Sequence, residues 1–259
     1  QSITLKPGFN FAAFTVKPSL TPVQLKTQNS FIEDIYAYNA AAGSFLSISE
    51  GTLNIFNPSA GYIIKSKSDA QLLITGTAVP SAGDINLKAG FNLTGFYKNP
   101  EAISFSSLMK KYFVIKGLYK WNASAASFMQ VVRNASGTPE ILDATDPQFA
   151  AGHAYFFYVS ADAKLNYDGS SIVITSSVPA ENYTLSIAVS PADAGTVSVS
   201  LGGPYASGTS VTLSAAAALG YAFKNWSGTD AVSIVNDQIV MNSNKSITAV
   251  FELTAQTIT

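Results

Sequence analysis

The sequence predicts a mainly β protein of three small tandem domains, the first two homologous. Two observations carry this reading. Blocks of sequence recur in the same order in residues 1–83 and 84–180, and short alternating runs punctuated by Gly, Pro and Asn fill the whole chain. The expected boundaries are 1–83 for copy one, 84–180 for copy two with a ten-residue insertion, and 181–259 for a third, different β domain.

The duplication is read block by block. "KPGFNFAAF" (6–14) returns as "KAGFNLTGF" (88–96), so Lys6, Gly8, Phe9, Asn10 and Phe14 meet Lys88, Gly90, Phe91, Asn92 and Phe96. "IYAYNAAAGSFL" (35–46) returns as "LYKWNASAASFM" (118–129), placing Tyr36 opposite Tyr119 and Tyr38 opposite Trp121. "GYIIKSKSDAQLLITG" (61–76) returns as "AYFFYVSADAKLNYDG" (154–169), with Tyr62 matching Tyr155, Asp69 matching Asp162 and Gly76 matching Gly169. The change in offset puts the insertion within "VVRNASGTPEILDATDPQ", expected as a protruding loop near residues 131–146.

Each copy reads as strand, turn, strand, with at most one short helix. Gly8 and Gly90 supply the positive φ that such a turn favours, and Asn10 and Asn92 belong to the same structural turn. In "SFSSLMKKYF", Phe105, Leu108, Met109 and Tyr112 have helical spacing, with Ser104 as N-cap. "LTPVQLKTQ" is the weaker counterpart, with Pro22 near the first helical position. The alternation in "IYAYN" and "LYKWN" sends Tyr36 and Tyr38, like Tyr119 and Trp121, to one sheet face.

Composition excludes several function classes. Charged residues are only 12% of the chain and the net charge is −1, so no basic footprint for nucleic acid is present. With no cysteine there are no disulfides, thiolate metal sites or thiol nucleophiles. No apolar run reaches the roughly 20 residues of a membrane span, so no membrane insertion is expected. The chain opens at Gln1 on strand-like "SITLKPG" rather than on a charged and then apolar leader. The expected setting is therefore secreted or cell-surface, after signal-peptide removal.

After "SSVPAEN" the grammar changes. "YTLSIAVSPADAGTVS", "PYASGTSVTLSAAAALGYAFKNWSG" and "MNSNKSITAVFE" alternate cleanly as an all-β meander. These segments resemble the internalin-type B-repeat family in its divergent bacterial form. The resemblance implies a small β-grasp-like module of surface and secreted multidomain proteins, with no catalytic residues to carry over. Residues 1–169 look like two tandem copies of a surface-protein repeat that usually opens on Leu, Gly and Trp-Asn. Phe9 and Phe91 stand at the tryptophan, and Gly61–Tyr62 with Asp69–Ala70, or Tyr155 with Asp162–Ala163, keep the later pattern. That resemblance implies an extracellular setting rather than an activity.

No catalytic, metal or cofactor site is expected. His153 is the one histidine and falls where copy one has the Gly61 region, so no second histidine matches it and a turn or surface role is the plain reading. Asp143 with Asp146, or Glu33 with Asp34, could pair for glycoside hydrolysis or bind calcium, but Asp beside Pro and Gly commonly builds turns. Thirty aromatic residues (12 Tyr, 16 Phe, 2 Trp) leave two roles open. Trp121, Tyr119 and Tyr97 could stack on a glycan, whereas the persistence of Tyr36/Tyr119 and Tyr38/Trp121 in both copies favours core packing. Trp226 in "FKNWSG" is expected in the core of the third domain. The Asn-x-Ser/Thr triplets at Asn92, Asn122, Asn134, Asn182, Asn225 and Asn244 are read as compositional.

The function expected is a non-catalytic structural or adhesive protein of the cell surface or medium, including a self-assembling fibre subunit. The alternative is a carbohydrate-binding accessory module of a secreted polysaccharide-degrading system. Expected partners are other copies of the chain or other surface proteins, with polysaccharide under the alternative. The uncharged, alternating "QSITL" and "LTAQTIT" could add to a sheet edge on a neighbouring copy.

Overall fold

A computed structural model describes residues 1–81, 83–134, 137–167, 171–176 and 182–254. Gly169, and residues 255–259 of the alternating tail, lie outside the described residues. The protein is mainly β, with two short α-helices, and divides into two compact units. One comprises Gln1–Arg133 with Pro139–Val178, the other Asn134–Thr138 with Pro179–Thr259. Both copies of the duplicated module lie in the first unit.

Copy one runs Ser2–Leu5 (β1), Gly8–Ala12 (β2), Val16–Pro18 (β3), Pro22–Gln28 (α1), Ile32–Asn39 (β4), Ser44–Ser47 (β5), Tyr62–Ser66 (β6), Ala70–Leu73 (β7) and Gly76–Ala78 (β8). Copy two runs Ile85–Leu87 (β9), Gly90–Gly95 (β10), Phe105–Lys111 (α2), Ile115–Asn122 (β11), Ser127–Arg133 (β12), Pro139–Ile141 (β13), Ala154–Val159 (β14), Ala163–Asn166 (β15) and Val173–Ser176 (β16). The main sheets share one plan. The order is β2-β6-β4-β5 in copy one and β10-β14-β11-β12 in copy two, where β13 adds a fifth strand. Even the irregularity repeats: a register shift lies between Ile32 and Asp34 of β4 and between Ile115 and Gly117 of β11.

The repeated letters have repeated physical work. Gly8 and Gly90 hold φ of 90° and 100°. Open space surrounds the place where each Cβ would stand, so the demand for glycine is conformational rather than steric. Asn10 and Asn92 are buried behind these turns. The Asn10 carboxamide accepts from the Lys6 N–H at 2.8 Å and donates to the carbonyls of Lys6 and Gly8. Asn92 repeats these bonds with Lys88 and Gly90. Asp69 and Asp162 close the corner by ion pairs to Lys6 at 2.9 Å and Lys88 at 2.7 Å.

Both helices form where the spacing placed them. Ser104 caps α2, Thr21 and Gln24 form a capping box on α1, and Pro22 opens α1, where its missing N–H costs nothing. Phe105, Leu108 and Met109 bury the inner face of α2. Arg133 serves the opposite end of α2: its guanidinium donates to the carbonyls of Met109 and Tyr112, and its Nε to that of Ile115 at 2.7 Å. Burial there lowers its pKa to about 10. The insertion is not a free loop as expected. Its far side, Pro139–Ile141, pairs antiparallel with Val131–Arg133 and continues the sheet.

The second unit contains Asn182–Tyr183 (β17), Leu185–Ser190 (β18), Gly195–Val199 (β19), Tyr205–Ala206 (β20), Thr209–Ala217 (β21), Tyr221–Ser227 (β22), Ile234–Val235 (β23), Gln238–Met241 (β24) and Lys245–Leu253 (β25). The first long strand, β18, lies parallel beside the last, β25, and β22 flanks β25 antiparallel. A second sheet has the order β19-β21-β24-β23. Val211, Leu213, Ile239, Met241 and Ile247 fill the space between, the inward set that alternation predicts, but the parallel pairing of β18 with β25 departs from the expected meander. Trp226 is half-buried rather than fully enclosed. It packs at the margin of this core, and its indole N–H donates to the Asp237 carboxylate at 3.2 Å.

Candidate binding site between the two copies

Alternation gives each main sheet two apolar faces. In β14, Tyr155, Phe157 and Val159 point into copy two's own core, while Ala154 and Phe156 belong to a separate cluster. That cluster is the seam where the copies meet, and it joins Phe11, Tyr36, Tyr38 and Ile63 of copy one to Leu93, Ala154 and Phe156 of copy two. A strand apolar on both faces is the mark of a sheet covered on both sides.

The seam is pseudo-symmetric. Ala12 bridges to His153, and in the reciprocal place Thr94 bridges to Ala60. The Ala13 N–H donates to the Gly152 carbonyl at 2.9 Å, and the Gly95 N–H donates to the Ser59 carbonyl at the same distance. These pairs exchange equivalent positions of the two copies, as the subunits of an isologous dimer do. The duplicated module thus forms a pseudo-dimer within one chain.

Trp121 lies at this seam, while Tyr119, on the same strand face, packs on rings of its own copy. The Trp121 ring stacks on Phe11 (centroids 5.5 Å apart, 29° between planes), meets Phe128 edge-on, and donates its indole N–H to the Phe9 carbonyl at 2.7 Å. It remains half-buried. Tyr119 packs against Phe91 and Phe128, and burial raises its phenol pKa. Tyr97 does not join them. It is 3% exposed, inside copy two's core against Tyr167, so no face is open for stacking on a glycan. The exposed rings instead include Phe9, Phe91, Phe45 and Tyr158.

A cleft of about 630 Å³ opens on one side of the seam. Copy one contributes Thr4 and Phe11, and copy two Lys120, Trp121, Asn122 and His153. Lys120 and Trp121 are neighbours on β11 and point to opposite sheet faces, yet both line the cleft, which lies at the strand's end where Asn122 begins the turn. Half-burial lowers the Lys120 pKa. His153 keeps an exposed surface at the rim, and the crowding of surrounding protein, then the Lys120 charge, lower its imidazole pKa. Among the described residues Lys120 makes no ion pair, and none that lines the cleft is a carboxylate. His153 and Lys120 carried no motif, and only comparison of the copies could have singled them out.

The carboxylates considered for hydrolysis are engaged elsewhere. Asp146 accepts from the backbone N–H and hydroxyl of Ser106 at 3.1 and 2.6 Å, holding the first turn of α2. Asp143 accepts from the Gln130 N–H at 2.7 Å. Asp34 is buried and bound by Ser49 and the Ile35 N–H, while Glu33 pairs with Lys65 at 2.5 Å. Among the described residues no group of His, Asp and Glu could hold a metal ion, and no helix is long and apolar enough to cross a membrane.

Comparison with known families places the second unit. Residues 183–255 match the divergent InlB B-repeat domain. This B-repeat is a type of repeat domain found in bacterial surface proteins, a typically non-catalytic family. No curated protein and no solved structure matches the chain.

Proposed function

We propose that the protein is a non-catalytic structural and adhesive protein of the cell surface or extracellular space. The observation that carries this reading is the B-repeat match over residues 183–255. The first unit supports it. Its recurrent Asn and Asp side chains are spent on turns and corners, and the single Arg133 on a helix end, so these polar groups serve the shape of the scaffold. Assembly into a fibre is the finer form of the proposal. The edge strand β5, and the exposed Leu219 and Leu253 of the B-repeat, are surfaces suited to strand addition or apolar contact.

Antibody labelling of intact cells, with protease shaving, tests the surface assignment. The signal is expected on intact cells and lost on shaving; labelling only after lysis overturns it. Electron microscopy and light scattering of the purified protein test assembly, and a monomer at all concentrations removes the fibre reading. The second reading, a carbohydrate-binding accessory module, is favoured by the half-open Trp121 at the seam cleft.

A further inference from the structure

We propose that the seam cleft is a binding site for an acidic saccharide, with Lys120 as the group that meets its carboxylate. This rests on the carbohydrate-binding reading of the cleft and names its ligand class, and it does not depend on the surface reading.

The argument rests on the duplication as an internal control. Residues that hold the module together recur in both copies, as Asn10 with Asn92 and Tyr62 with Tyr155 do. At the seam, Asn122 recurs as Asn39, which opens the same turn by the same bonds: the Asn39 carboxamide accepts from the N–H groups of Ala41 and Ala42, that of Asn122 from Ser124 and Ala125. Lys120 and His153 break the pattern, because their counterparts are Ala37 and Ala60. The reciprocal bridges Ala12–His153 and Thr94–Ala60 establish the second equivalence in space. Two alanines suffice for the module, so the cation and imidazole are additions to one side of the seam. They converge on the same cleft, and no carboxylate lines it.

A half-desolvated ammonium without a counter-charge favours an anion that brings its own. The rest of the lining narrows the class. Thr4 and Asn122 offer hydroxyl and amide groups, while Trp121 and Phe11 offer aromatic surface. A carboxylate, several hydroxyls and apolar CH groups on one rigid ring are what a uronic or sialic acid residue presents. The cleft's volume lies within the range of small-ligand sites, about 300–1,000 Å³. An acidic peptide would satisfy Lys120 but has less use for the hydroxyl and amide groups, so it becomes an outcome of the test.

The test titrates the whole chain with oligomers of galacturonic, glucuronic and mannuronic acid and with sialyllactose. Controls are the same sugars with the carboxyl reduced, and oligoglutamate. Calorimetry gives affinity, and the Trp121 indole N–H resonance, one of two in the chain, reports the site. At least one acidic sugar should move the Trp121 signal with a Kd of about 1 mM or tighter, and its carboxyl-reduced form should bind at least about tenfold more weakly. Lys120→Ala, which restores the residue of copy one, should weaken binding by about tenfold or more with an unchanged melting temperature. Lys120→Arg should recover most of it. The proposal is overturned if no acidic sugar moves the Trp121 signal, if Lys120→Ala binds as wild type, or if reduced sugars or oligoglutamate bind equally well. Any of these results leaves the surface assignment standing, because cell labelling reads that independently.

Discussion

Copy one and copy two agree in the Gly-Phe-Asn turn, the lysine–aspartate corner, the helix position and the bulge in the central strand. They differ where the seam opens to solvent: Ala37 and Ala60 in one are Lys120 and His153 in the other. The agreement shows which residues the module needs in order to fold. The difference shows which residues it can change without refolding, and such positions are where a duplicated scaffold can acquire a function.

The largest expected effect tests the agreement. Tyr62 and Tyr155 are both buried, each accepts a backbone N–H on its hydroxyl (from Asn57 at 2.5 Å and Ala150 at 2.8 Å), and burial pushes both phenols up to about 12. Tyr62→Ala and Tyr155→Ala should each cost about 3–5 kcal/mol in denaturant unfolding. A loss at one position without the other would break the equivalence. Gly8→Val and Gly90→Val come next, at about 1–3 kcal/mol each, because a β-branched residue resists φ near +90°. Melts matching wild type would show that the turns relax at no cost.

Trp121→Ala and Tyr38→Ala sharpen the contrast at the seam. Both rings are half-buried, so each should cost about 1–2 kcal/mol, below the 3–5 kcal/mol of a fully buried aromatic. If Trp121→Ala reaches the larger value, the ring is core in the full sense and the cleft at its edge is closed in solution. The smallest effect is a pH dependence. His153 has a folded-state pKa below its unfolded value, so its contribution to stability is complete above about pH 6.5 and is lost as pH falls through the lower, folded value. Wild type should therefore lose stability relative to His153→Ala on acidification through that window; parallel profiles contradict it.

Much of the fold was legible because local chemistry repeats. The helix spacing at Phe105, Leu108 and Met109, with Ser104 before it, needs only near neighbours to be interpreted. The seam was not legible. Alternation placed Tyr38 and Trp121 on one sheet face, but the partner that covers that face is the other copy, and no local pattern names it. Tyr97 shows the same limit, since an aromatic beside the Gly-Phe-Asn strand reads alike whether it faces solvent or, as here, the core. The change in offset between the copies predicts a protruding loop, because a length difference alone does not say what the extra residues pair with, yet Pro139–Ile141 finds an open sheet edge and pairs with it.

The central claim is that the two copies are held together as one pseudo-dimer through a close-packed seam. Gly95 is its tightest point: a Cβ there would stand 2.2 Å from the Ala13 Cβ and 2.9 Å from the Ala60 carbonyl oxygen, both in the other copy. Hydrogen exchange of the full chain carrying Gly95→Val measures the coupling directly. Overpacking of this kind costs about 1–3 kcal/mol. The account predicts that protection falls in two inner strands, Tyr62–Ser66 of copy one and Ala154–Val159 of copy two. Loss confined to copy two, with Tyr62–Ser66 as protected as in wild type, would contradict it.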